Sequence, residues 1–419
     1  MLDRAFRAAP LPERWTDLIV QTAEQTTTTP PPIDEIGRDA IALLAELVSF
    51  DTTSADSNLQ LIAFVEHYLA QYGVASQRIA NADGSKANLL ATIGPGMAGG
   101  IVLSGHTDVV PVTGQPWTSD PFTLIERDGR LYGRGTSDMK AFLALSLAAV
   151  PRLVSGDMAR PIHLAFSYDE ELGCLGAPDL IRTILDQGYR PMAAIIGEPT
   201  NMQIVNSHKS IHIYDITVTG REAHSSMVTE GISANMVAID LLSSLARIAE
   251  AERGDHRDPR FDPPWSTLTI GTIHGGTAPN ILARECRFTF DLRCVPDRDA
   301  DAVLAPFWIE VEEARTRLAA EGAETGITVE QLARVPSLRS EADGAAEQLS
   351  AMLSGANNPS IAVSYGAEAG QFQEAGLSTV ICGPGSITQA HRPDEFIELS
   401  QIEAGARFIS RLIEFVRAR

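Results

Sequence analysis

Apolar residues recur along most of this chain, and their spacing predicts an alternation of helices and strands. Over residues 36–48 and 57–72 they return every three or four positions, as in a helix that buries one face, and Asp56 or Ser57 is a suitable N-cap for the second helix. Short apolar runs then alternate with helical stretches: IVLSG at 101–105, a helix over 139–154, IHLAFSY at 162–168, a helix over 178–187 and AAIIG at 193–197. This alternation predicts a mostly parallel sheet covered by helices.

The order of the predicted elements changes between residues 208 and 335. It becomes strand, helix, strand, strand, helix, strand, which is the split βαβ layout of a small ferredoxin-like domain. Alternation returns afterwards with the strand STVICG at 378–383 and a closing helix from Gln401. The predicted fold class is therefore α/β: a mixed, mostly parallel sheet flanked by helices, with an inserted α+β domain.

The predicted domain boundaries follow from these patterns. Residues 1–33 are an N-terminal extension, because the low-complexity stretch TTTTPPP contains prolines that keep it out of a helix. The two parts of the larger domain cover residues 34–207 and 336–419, and the inserted domain covers 208–335. A chain of 419 residues is too long for one hydrophobic core, so more than one domain is expected.

Composition and charge exclude several classes of partner. Hydrophobic residues make up 44% of the chain and charged residues 21%, the balance of an ordinary globular protein. A net charge of -21 argues against a nucleic-acid partner, which requires clustered Lys and Arg. No apolar run reaches the roughly 18 to 20 residues of a membrane span, and the polar start is unlike a secretory signal, so a cytoplasmic protein is expected. The four cysteines form no CxxC pair and are predicted to be small core residues: Cys174, Cys286, Cys294 and Cys382.

Candidate chemistry begins at the end of the strand IVLSG, in the segment HTD. His106 and Asp108 are two residues apart and lie on one face if the chain stays extended. The Asp108 carboxylate then accepts a hydrogen bond from one ring nitrogen of His106 while the other nitrogen binds a metal. A histidine satisfied within its own loop is the alternative interpretation of this pair.

Acidic residues follow at the ends of two later segments. Asp138 lies in the loop LYGRGTSDMK directly before a long predicted helix, where it either caps that helix or bridges two cations with its two oxygens. Asp169, Glu170 and Glu171 follow the strand IHLAFSY. Because crowded carboxylates repel one another, these three acids indicate either solvent exposure or a bound cation.

Two further residues complete a set of candidate metal ligands. Glu198 ends the strand AAIIG, and His391 lies in a loop rich in Gly and Pro. Two imidazoles and three carboxylates form a mixed nitrogen and oxygen set that suits zinc, and also cobalt or manganese. With one carboxylate as a bridge, each of two ions receives three protein ligands and keeps a position for water, which is an open catalytic arrangement. The predicted ligands are His106, Asp138, Glu171, Glu198 and His391.

Five sequence blocks resemble the metal-site blocks of the M20 metallopeptidase family: SGHTDVVP, GRGTSDMK, DEELG, GEPT and the loop that contains His391. They occur in the same order and at similar separations, and the resemblance covers residues 35–419. Within that family, segments 49–62 and 364–396 resemble acetylornithine deacetylases in particular. The resemblance implies a zinc-peptidase-like catalytic domain with an inserted domain that serves as a lid and for dimerisation.

Carried over block by block, the resemblance implies how the ligands divide between two ions. His106 and Glu198 hold one ion, while Glu171 and His391 hold the other. Asp138 bridges the two. This division implies a two-metal amide hydrolase.

The same resemblance implies catalytic and substrate-binding residues. Glu170 is the general base, because its neighbour in the sequence has its lone pairs committed to metal, and Asp108 orients the histidine of its own block. In the inserted domain, His224 reaches the substrate carbonyl, in dimeric members from the opposite subunit, and stabilises the oxyanion. Asn280 and Arg293 bind the α-carboxylate of the substrate. Taken alone, His224 also fits an ordinary surface histidine and Arg293 a surface charge.

Three positions depart from the pattern of the family. Ser210 stands where relatives often carry Gly, Met227 replaces a frequent Pro, and Ala367 stands where these deacetylases commonly have Thr. None of the three is a predicted metal ligand. Ala367 lies in a segment expected to face the substrate, so the acyl-amino acid is less sharply indicated than the chemistry.

The expected function is hydrolysis of the amide of an N-acyl amino acid by a homodimer with two divalent ions, zinc or else cobalt. The resemblance implies N2-acetyl-L-ornithine as the small-molecule substrate, in arginine biosynthesis. Alternatives are deacylation of another N-acyl amino acid such as acetylcitrulline, dipeptide hydrolysis, and a non-catalytic metal-binding relative. A dinucleotide-binding oxidoreductase is discounted, because no GxGxxG follows the first strand.

Overall fold

A computed structural model describes residues 34–254, 256–355 and 358–418 of the chain. The predicted N-terminal extension, residues 1–33, lies outside the described residues. The helices are α1 (Glu35–Ser49), α2 (Leu59–Gln71), α3 (Ala141–Ala148), α4 (Val150–Val154), α5 (Ala177–Asp186), α6 (Ala234–Gly254), α7 (Ala300–Glu321), α8 (Ala345–Ser354), α9 (Ala369–Glu374) and α10 (Leu399–Arg417). The strands are β1 (Ser76–Ala80), β2 (Ala87–Ile93), β3 (Ile101–His106), β4 (Ile125–Arg127), β5 (Arg130–Tyr132), β6 (Ile162–Ser167), β7 (Ala193–Pro199), β8 (Val205–His208), β9 (Ile211–Thr219), β10 (Thr267–Gly275), β11 (Glu285–Arg293), β12 (Gly326–Val335), β13 (Ile361–Val363), β14 (Thr379–Gly383) and β15 (Phe396–Glu398).

The described chain forms two compact units. The first unit comprises the chain up to Ser207, Ser340–Ile361 and the chain from Ala367 onward. The second unit comprises His208–Arg339 and the short segment Ala362–Gly366. The predicted inserted domain ended at residue 335 and did not include that short segment.

A large mixed sheet organises the first unit. Within the described residues its strand order is β1-β2-β6-β3-β7-β14-β8-β13. The four neighbours β6, β3, β7 and β14 run parallel, whereas β1, β2 and β8 pair antiparallel with their neighbours. Parallel neighbours end at the same edge of a sheet, so the segments that follow β3, β6, β7 and β14 are brought together there. The predicted α/β fold class is confirmed.

The helices of the first unit differ in how much of their surface they bury. Helix α1 is amphipathic and is capped by Asp34, whose side chain accepts a hydrogen bond from the backbone N–H of Gly37 at 2.8 Å. Helix α3 has the sequence AFLALSLA and is buried on every side, as expected for a helix without a polar face. Phe142 of α3 packs so closely on Gly197 of β7 that a side chain at Gly197 would overlap its ring.

The second unit has its own sheet and its own core. Its antiparallel sheet has the strand order β10-β11-β9-β12, and α6 and α7 pack against it. The chain order β9, α6, β10, β11, α7, β12 follows the strand and helix pattern of the sequence. The core contains the inward residues of β9 and β11 and a cluster of aromatic rings, which includes Tyr214, Phe290 and Phe307.

Two local predictions are wrong. Helix α2 begins at Leu59 with Asn58 at the N-cap position, and the Asn58 side chain binds Ala87 and Thr107 instead of capping the helix. The predicted helix over 139–154 is divided into a π-helical turn over Thr136–Lys140, then α3 and α4. The division follows from the non-helical backbone at Asp138 and from a proline in the first turn of α4.

No helix in the described part of the chain is long and apolar enough to cross a membrane. All four cysteines lie in that part, and all are buried and free of disulfides.

His163 on β6 is a buried histidine with an incomplete hydrogen-bonding environment. Its Nδ1 lies 3.0 Å from the Thr92 hydroxyl, but its Nε2 has no partner among the described residues. Burial lowers the pKa of His163 to about 4. The unfolded chain, whose histidine has an ordinary pKa, therefore binds more protons than the folded chain between pH 6.5 and about 4.

This difference predicts an acid-dependent loss of stability that His163→Gln removes. In the wild type, the contribution of the neutral, buried His163 to the free energy of unfolding is fully present above pH 6.5. It falls as the pH decreases, and about 2 kcal/mol is lost at pH 5. Urea unfolding of both proteins at pH 8, 6 and 5 measures it. Equal losses in wild type and variant over this range would contradict the assignment to His163.

Candidate active site

The predicted metal ligands of the first unit come from strand ends and loops at one edge of the large sheet. His106 is the last residue of β3, Glu198 lies near the end of β7, and the acids 169–171 follow β6. Asp138 and His391 are supplied by loops before α3 and after β14. The parallel arrangement of β3, β6 and β7 therefore brings together side chains that are far apart in the sequence.

His106 is almost completely buried and contacts acids through its Nε2 atom. That nitrogen lies 3.0 Å from Asp138 Oδ1 and 3.8 Å from Glu198 Oε1. Its other nitrogen, Nδ1, lies 2.8 Å from the backbone oxygen of Asp108. A hydrogen bond from Nδ1 to this backbone oxygen leaves Nε2 with a lone pair that faces the acids.

His391 contacts the other oxygen of Asp138 and a second acid, Glu171. Its Nε2 lies 3.0 Å from Glu171 Oε2 and 3.4 Å from Asp138 Oδ2. Asp138 thus directs one oxygen to each imidazole, which is the placement that a bridging carboxylate requires. Hydrogen bonds to Asp138 and Glu171 raise the pKa of His391 to about 10.

The surrounding acids create an environment that favours a cation. Ligand atoms of His106, Asp138 and Glu171 lie within 4.8 Å of one another, as do those of His106, Glu170 and Glu198. Glu198 Oε1 is buried and has no hydrogen-bond partner among the described residues. Burial and then the charge of Asp138 raise the pKa of Glu198 well above its usual value. This donor set, with a buried oxygen left unsatisfied, fits divalent metal ions.

Glu170 lies beside the proposed ligands and is held by its own turn. Its backbone N–H donates to Asp108 Oδ1 at 3.1 Å, and the Cys174 thiol donates to Glu170 Oε1 at 3.3 Å. Burial raises the pKa of Glu170 to about 8, and the nearby Glu171 and Asp138 carboxylates also raise it, whereas His106 lowers it. A carboxylate with a raised pKa is suited to take up and release a proton near neutral pH.

Asp108 is close to His106, and its backbone oxygen lies nearer to the imidazole ring than its carboxylate does. Its carboxylate oxygen Oδ1 lies 3.6 Å from His106 Nδ1, and the nearer acceptor is its backbone oxygen. The carboxylate instead accepts the backbone N–H groups of Glu170 and Glu171, at 3.1 and 3.3 Å, and the Ser54 hydroxyl at 2.7 Å. The nearest acceptor of His106 Nδ1 is therefore the backbone oxygen of Asp108, and the orienting role of its carboxylate stays a prediction.

The structure also bears on two alternative interpretations of the acids, helix capping by Asp138 and solvent exposure of residues 169–171. Asp138 does not cap the following helix, since the N-cap position of α3 is Lys140 and the Asp138 oxygens face the two imidazoles. Asp169 turns away from the cluster and forms an ion pair with Lys86 at 2.6 Å. The acids at 169–171 are buried or partly buried, so solvent exposure does not explain them.

Several residues around the centre were not found from the sequence. Glu368 is buried and accepts the hydroxyls of Ser104 and Ser167, at 2.5 and 2.8 Å. Glu395 is buried and binds Arg134 together with the backbone before and at Asp138. A signal for Glu395 was present in the motif RPDEF, which places an acid four residues after His391. Its partners could not be found from the sequence, because they are more than 250 positions away.

The remaining predicted residues lie in the second unit. His224 forms an isolated bridge with Ile281, and Asn280 is adjacent to it, since its backbone oxygen accepts the Ser225 N–H at 3.0 Å. Arg293 is the last residue of β11, and its Nε donates to Asp291 at 2.8 Å. The structure therefore brings His224 and Asn280 together and separates them from Arg293 along the strand.

The three residues that depart from the family pattern lie away from the proposed metal ligands in their hydrogen bonding. The Ser210 hydroxyl accepts the backbone N–H of Cys294 at 3.1 Å, and the Ser210 N–H donates to the Cys294 oxygen at 2.9 Å. Ala367 is fully buried in the first unit, and Met227 is exposed in the second. None of these residues contacts the proposed ligands through a hydrogen bond.

Comparison with known proteins identifies the family. A family model described as "Peptidase family M20/M25/M40" matches residues 102–414. An acetylornithine deacetylase from Photorhabdus laumondii is 33% identical over 387 residues, which cover 92% of this chain and 97% of that protein.

Solved structures share the fold. An M20 family metallo-carboxypeptidase from Sulfolobus solfataricus matches 92% of this chain and 100% of its own, with a TM-score of 0.71 and 17% identity. A dinuclear metal-binding M20 peptidase from Bacillus subtilis matches 92% of this chain and 99% of its own, with a TM-score of 0.60 and 15% identity. The family model covers most of the chain, and the five blocks behind the sequence resemblance surround one acidic centre. The chain belongs to the peptidase family M20/M25/M40.

Proposed function

We propose that this chain hydrolyses the amide bond of N2-acetyl-L-ornithine and releases L-ornithine and acetate, a step of arginine biosynthesis. The observation that carries the chemistry is the buried cluster in which Asp138 faces both imidazoles and Glu170 lies alongside. The substrate is supported by the acetylornithine deacetylase that is 33% identical over nearly the whole chain. A cytoplasmic location stays a prediction.

The proposed metal centre uses five residues of the first unit. His106 and Glu198 hold one ion, Glu171 and His391 hold the other, and Asp138 is shared. Bound divalent ions polarise the amide carbonyl and make water a stronger acid. Zinc is the proposed ion and cobalt the alternative, since both accept imidazole and carboxylate ligands.

Glu170 is proposed to move the proton. It takes a proton from the attacking water and later gives it to the departing amine, so that its carboxylate is regenerated in each cycle. The raised pKa of this buried side chain supports proton uptake near neutral pH, and the N–H bond to Asp108 holds its backbone. His224 is proposed to donate to the oxyanion of the tetrahedral intermediate.

The substrate is tested with a panel of N-acyl amino acids and dipeptides at fixed zinc or cobalt loading. We expect the highest kcat/KM for N2-acetyl-L-ornithine, with lower values for acetylcitrulline and N-formyl or longer-chain derivatives. Faster turnover of dipeptides would favour the alternative of a peptidase, like the metallo-carboxypeptidase from Sulfolobus solfataricus. Metal binding without turnover of any substrate would favour the non-catalytic alternative.

Replacing Glu170 by Gln or Ala separates proton transfer from metal binding. We expect turnover to fall by about 10²- to 10⁴-fold, because general acid–base catalysis is lost, while both ions remain bound. Glu171→Gln is the matched variant, since it changes the adjacent proposed ligand and should lower metal content. Metal analysis and steady-state kinetics on the same samples give the answer. A fully active Glu170→Ala protein would refute this role.

A homodimer formed through the second unit is supported by its surface. Strand β10 lies at the edge of the antiparallel sheet, where unpaired backbone groups are available. Ile273 on β10 and Met236 and Ile239 on α6 are 55%, 63% and 50% exposed. Asn235, at the start of α6, lies directly against Gly275 of β10, so these apolar residues belong to neighbouring elements. Large exposed apolar side chains on adjacent elements are typical of a subunit interface.

The spacing of the substrate-binding residues also supports a dimer. Asn280 lies in the loop before β11 and Arg293 ends that strand, whose nine residues span about 26 Å from end to end. His224 lies at the Asn280 end. One second unit does not bring all three residues to one amino-acid derivative. We therefore propose that Arg293 serves one substrate together with His224 and Asn280 of the partner subunit.

Hybrid dimers test this arrangement. Glu170→Ala and His224→Ala are each expected to be nearly inactive alone. If His224 acts across the interface, a hybrid of the two variants contains one intact site, and random mixing restores up to about a quarter of the wild-type activity. If His224 acts within its own subunit, mixing restores none, and the proposal is wrong. Co-expression with two affinity tags isolates the hybrid, and light scattering checks its mass.

A further inference from the structure

Glu395 connects two loops that carry proposed metal ligands. It is 1% exposed and lies four residues after His391. Its Oε2 accepts hydrogen bonds from Arg134 Nη1 at 2.7 Å and from the backbone N–H of Gly135 at 3.0 Å. Its Oε1 accepts the backbone N–H groups of Ser137 and Asp138, at 2.8 and 3.1 Å. One carboxylate thus holds the loop of Asp138 against the loop of His391.

Other contacts tie the His391 loop to the same region. Gln115 Nε2 donates to the backbone oxygen of His391 at 3.2 Å, and Arg134 Nη2 donates to Gln115 Oε1 at 2.6 Å. Asp394 accepts the backbone N–H and the hydroxyl of Thr118, at 2.8 and 3.0 Å. Arg134 is therefore shared between Glu395 and Gln115, and both of these reach the His391 loop.

The His391 loop has a backbone conformation that favours such support. His391 and Asp394 have φ values of 62° and 54°, in the left-handed region that residues with a side chain rarely adopt. The His391 side chain is 54% exposed, so surrounding packing does little to fix it. Hydrogen bonds to the backbone therefore remain as the main restraint on His391.

We propose that Glu395 is a positioning residue for the metal centre: its backbone belongs to the His391 loop and its carboxylate holds the backbone of the Asp138 loop, so that it sets the separation of Asp138 and His391. The inference rests on the ligands assigned in the proposed function. Glu395 does not touch the reacting atoms, and its effect passes through the two loops. It is the counterpart, on the His391 side, of Asp108, which holds the N–H groups of Glu170 and Glu171.

The hydrogen-bond pattern determines which substitution is informative. All four groups around Glu395 are donors, so the side chain must present acceptors on both oxygens. In Glu395→Gln, one oxygen becomes an NH₂ group that faces two donors, whichever way the amide is turned. The variant is nearly the same size as the wild type, and it loses at least two of the four hydrogen bonds.

The geometry also predicts an unequal effect on the two ions. The ion assigned to Glu171 and His391 depends on both loops that Glu395 connects. The ion assigned to His106 and Glu198 depends on them only through Asp138, because its other two ligands lie on β3 and β7. Loss of the Glu395 contacts should therefore weaken one ion more than the other.

The test compares stepwise metal binding by wild type, Glu395→Gln and Glu252→Gln. Glu252 is the matched control, since it is a buried carboxylate on α6 that binds Arg298, with distances of 2.6 and 3.2 Å, and it belongs to the second unit. Metal-free proteins are titrated with Co²⁺ and followed by visible absorption, with zinc content after dialysis against a chelator as a second measure. Thermal unfolding of the metal-free proteins reports the structural cost of each substitution.

We expect Glu395→Gln to bind one ion with nearly wild-type affinity and the other about 10- to 100-fold more weakly, with an altered Co²⁺ spectrum. Glu252→Gln should bind both ions as the wild type does, even if its unfolding temperature falls by a similar amount. Two ions bound by Glu395→Gln with wild-type affinity and spectrum would overturn the inference. So would equal weakening in the Glu252 control, because the effect would then be one of general stability.

A second variant guards against a failure to fold. Glu395→Asp keeps the charge and both acceptors but withdraws them by one methylene, and it should weaken the same ion by a smaller factor. If Glu395→Gln does not fold, Glu395→Asp is judged by the same affinities and spectra. A wild-type protein that does not bind two ions would overturn the proposed function itself, whereas the outcomes above overturn the role of Glu395 alone.

Discussion

The repulsion among buried carboxylates at one edge of the large sheet is the constraint on which the rest of the site depends. Glu170, Glu171 and Glu198 are raised in pKa by burial and by neighbouring acids, and one oxygen of Glu198 has no partner among the described residues. Such a group is costly to bury unless positive charge is placed among its members. The proposed divalent ions would supply that charge, with the two neutral imidazoles as ligands beside the carboxylates.

The acids at this edge divide into two kinds by what they contact. Some direct their oxygens at the centre, as Asp138 and Glu198 do. Others accept backbone N–H groups and so hold the turns that present the first kind: Asp108 holds the turn of Glu170, and Glu395 holds the turn of Asp138. Carboxylates are suited to both tasks, because an ionised carboxylate offers acceptors only. The high acid content of the chain at this edge therefore serves ligation and support together.

The two units contribute different parts of the proposed reaction. The first unit contains every proposed ligand and the proposed base, and these residues lie on rigid strands or on loops held by buried acids. The second unit contains the candidates for substrate recognition, and they lie at opposite ends of β11. The proposed dimer gives a physical reason for this division, since two copies can supply to one substrate what one copy keeps at the two ends of β11. We thus propose that the chemistry depends on the first unit of one chain, whereas the specificity depends on the dimer.

The sequence by itself determined the alternating α/β fold, the second α+β unit and the identity of the residues at the centre, because hydrophobic period and strand-end position are local properties. Only the tertiary structure decided which acids meet. The Asp108 carboxylate binds N–H groups of the turn after β6, Asp169 is drawn away by Lys86, and Asp138 faces both imidazoles instead of capping a helix. Glu395 and Glu368 were missed for the same reason, since the partners that define their roles lie far away in the sequence. Side-chain direction at a strand end depends on the partners that the folded chain brings there, and sequence spacing does not specify those partners.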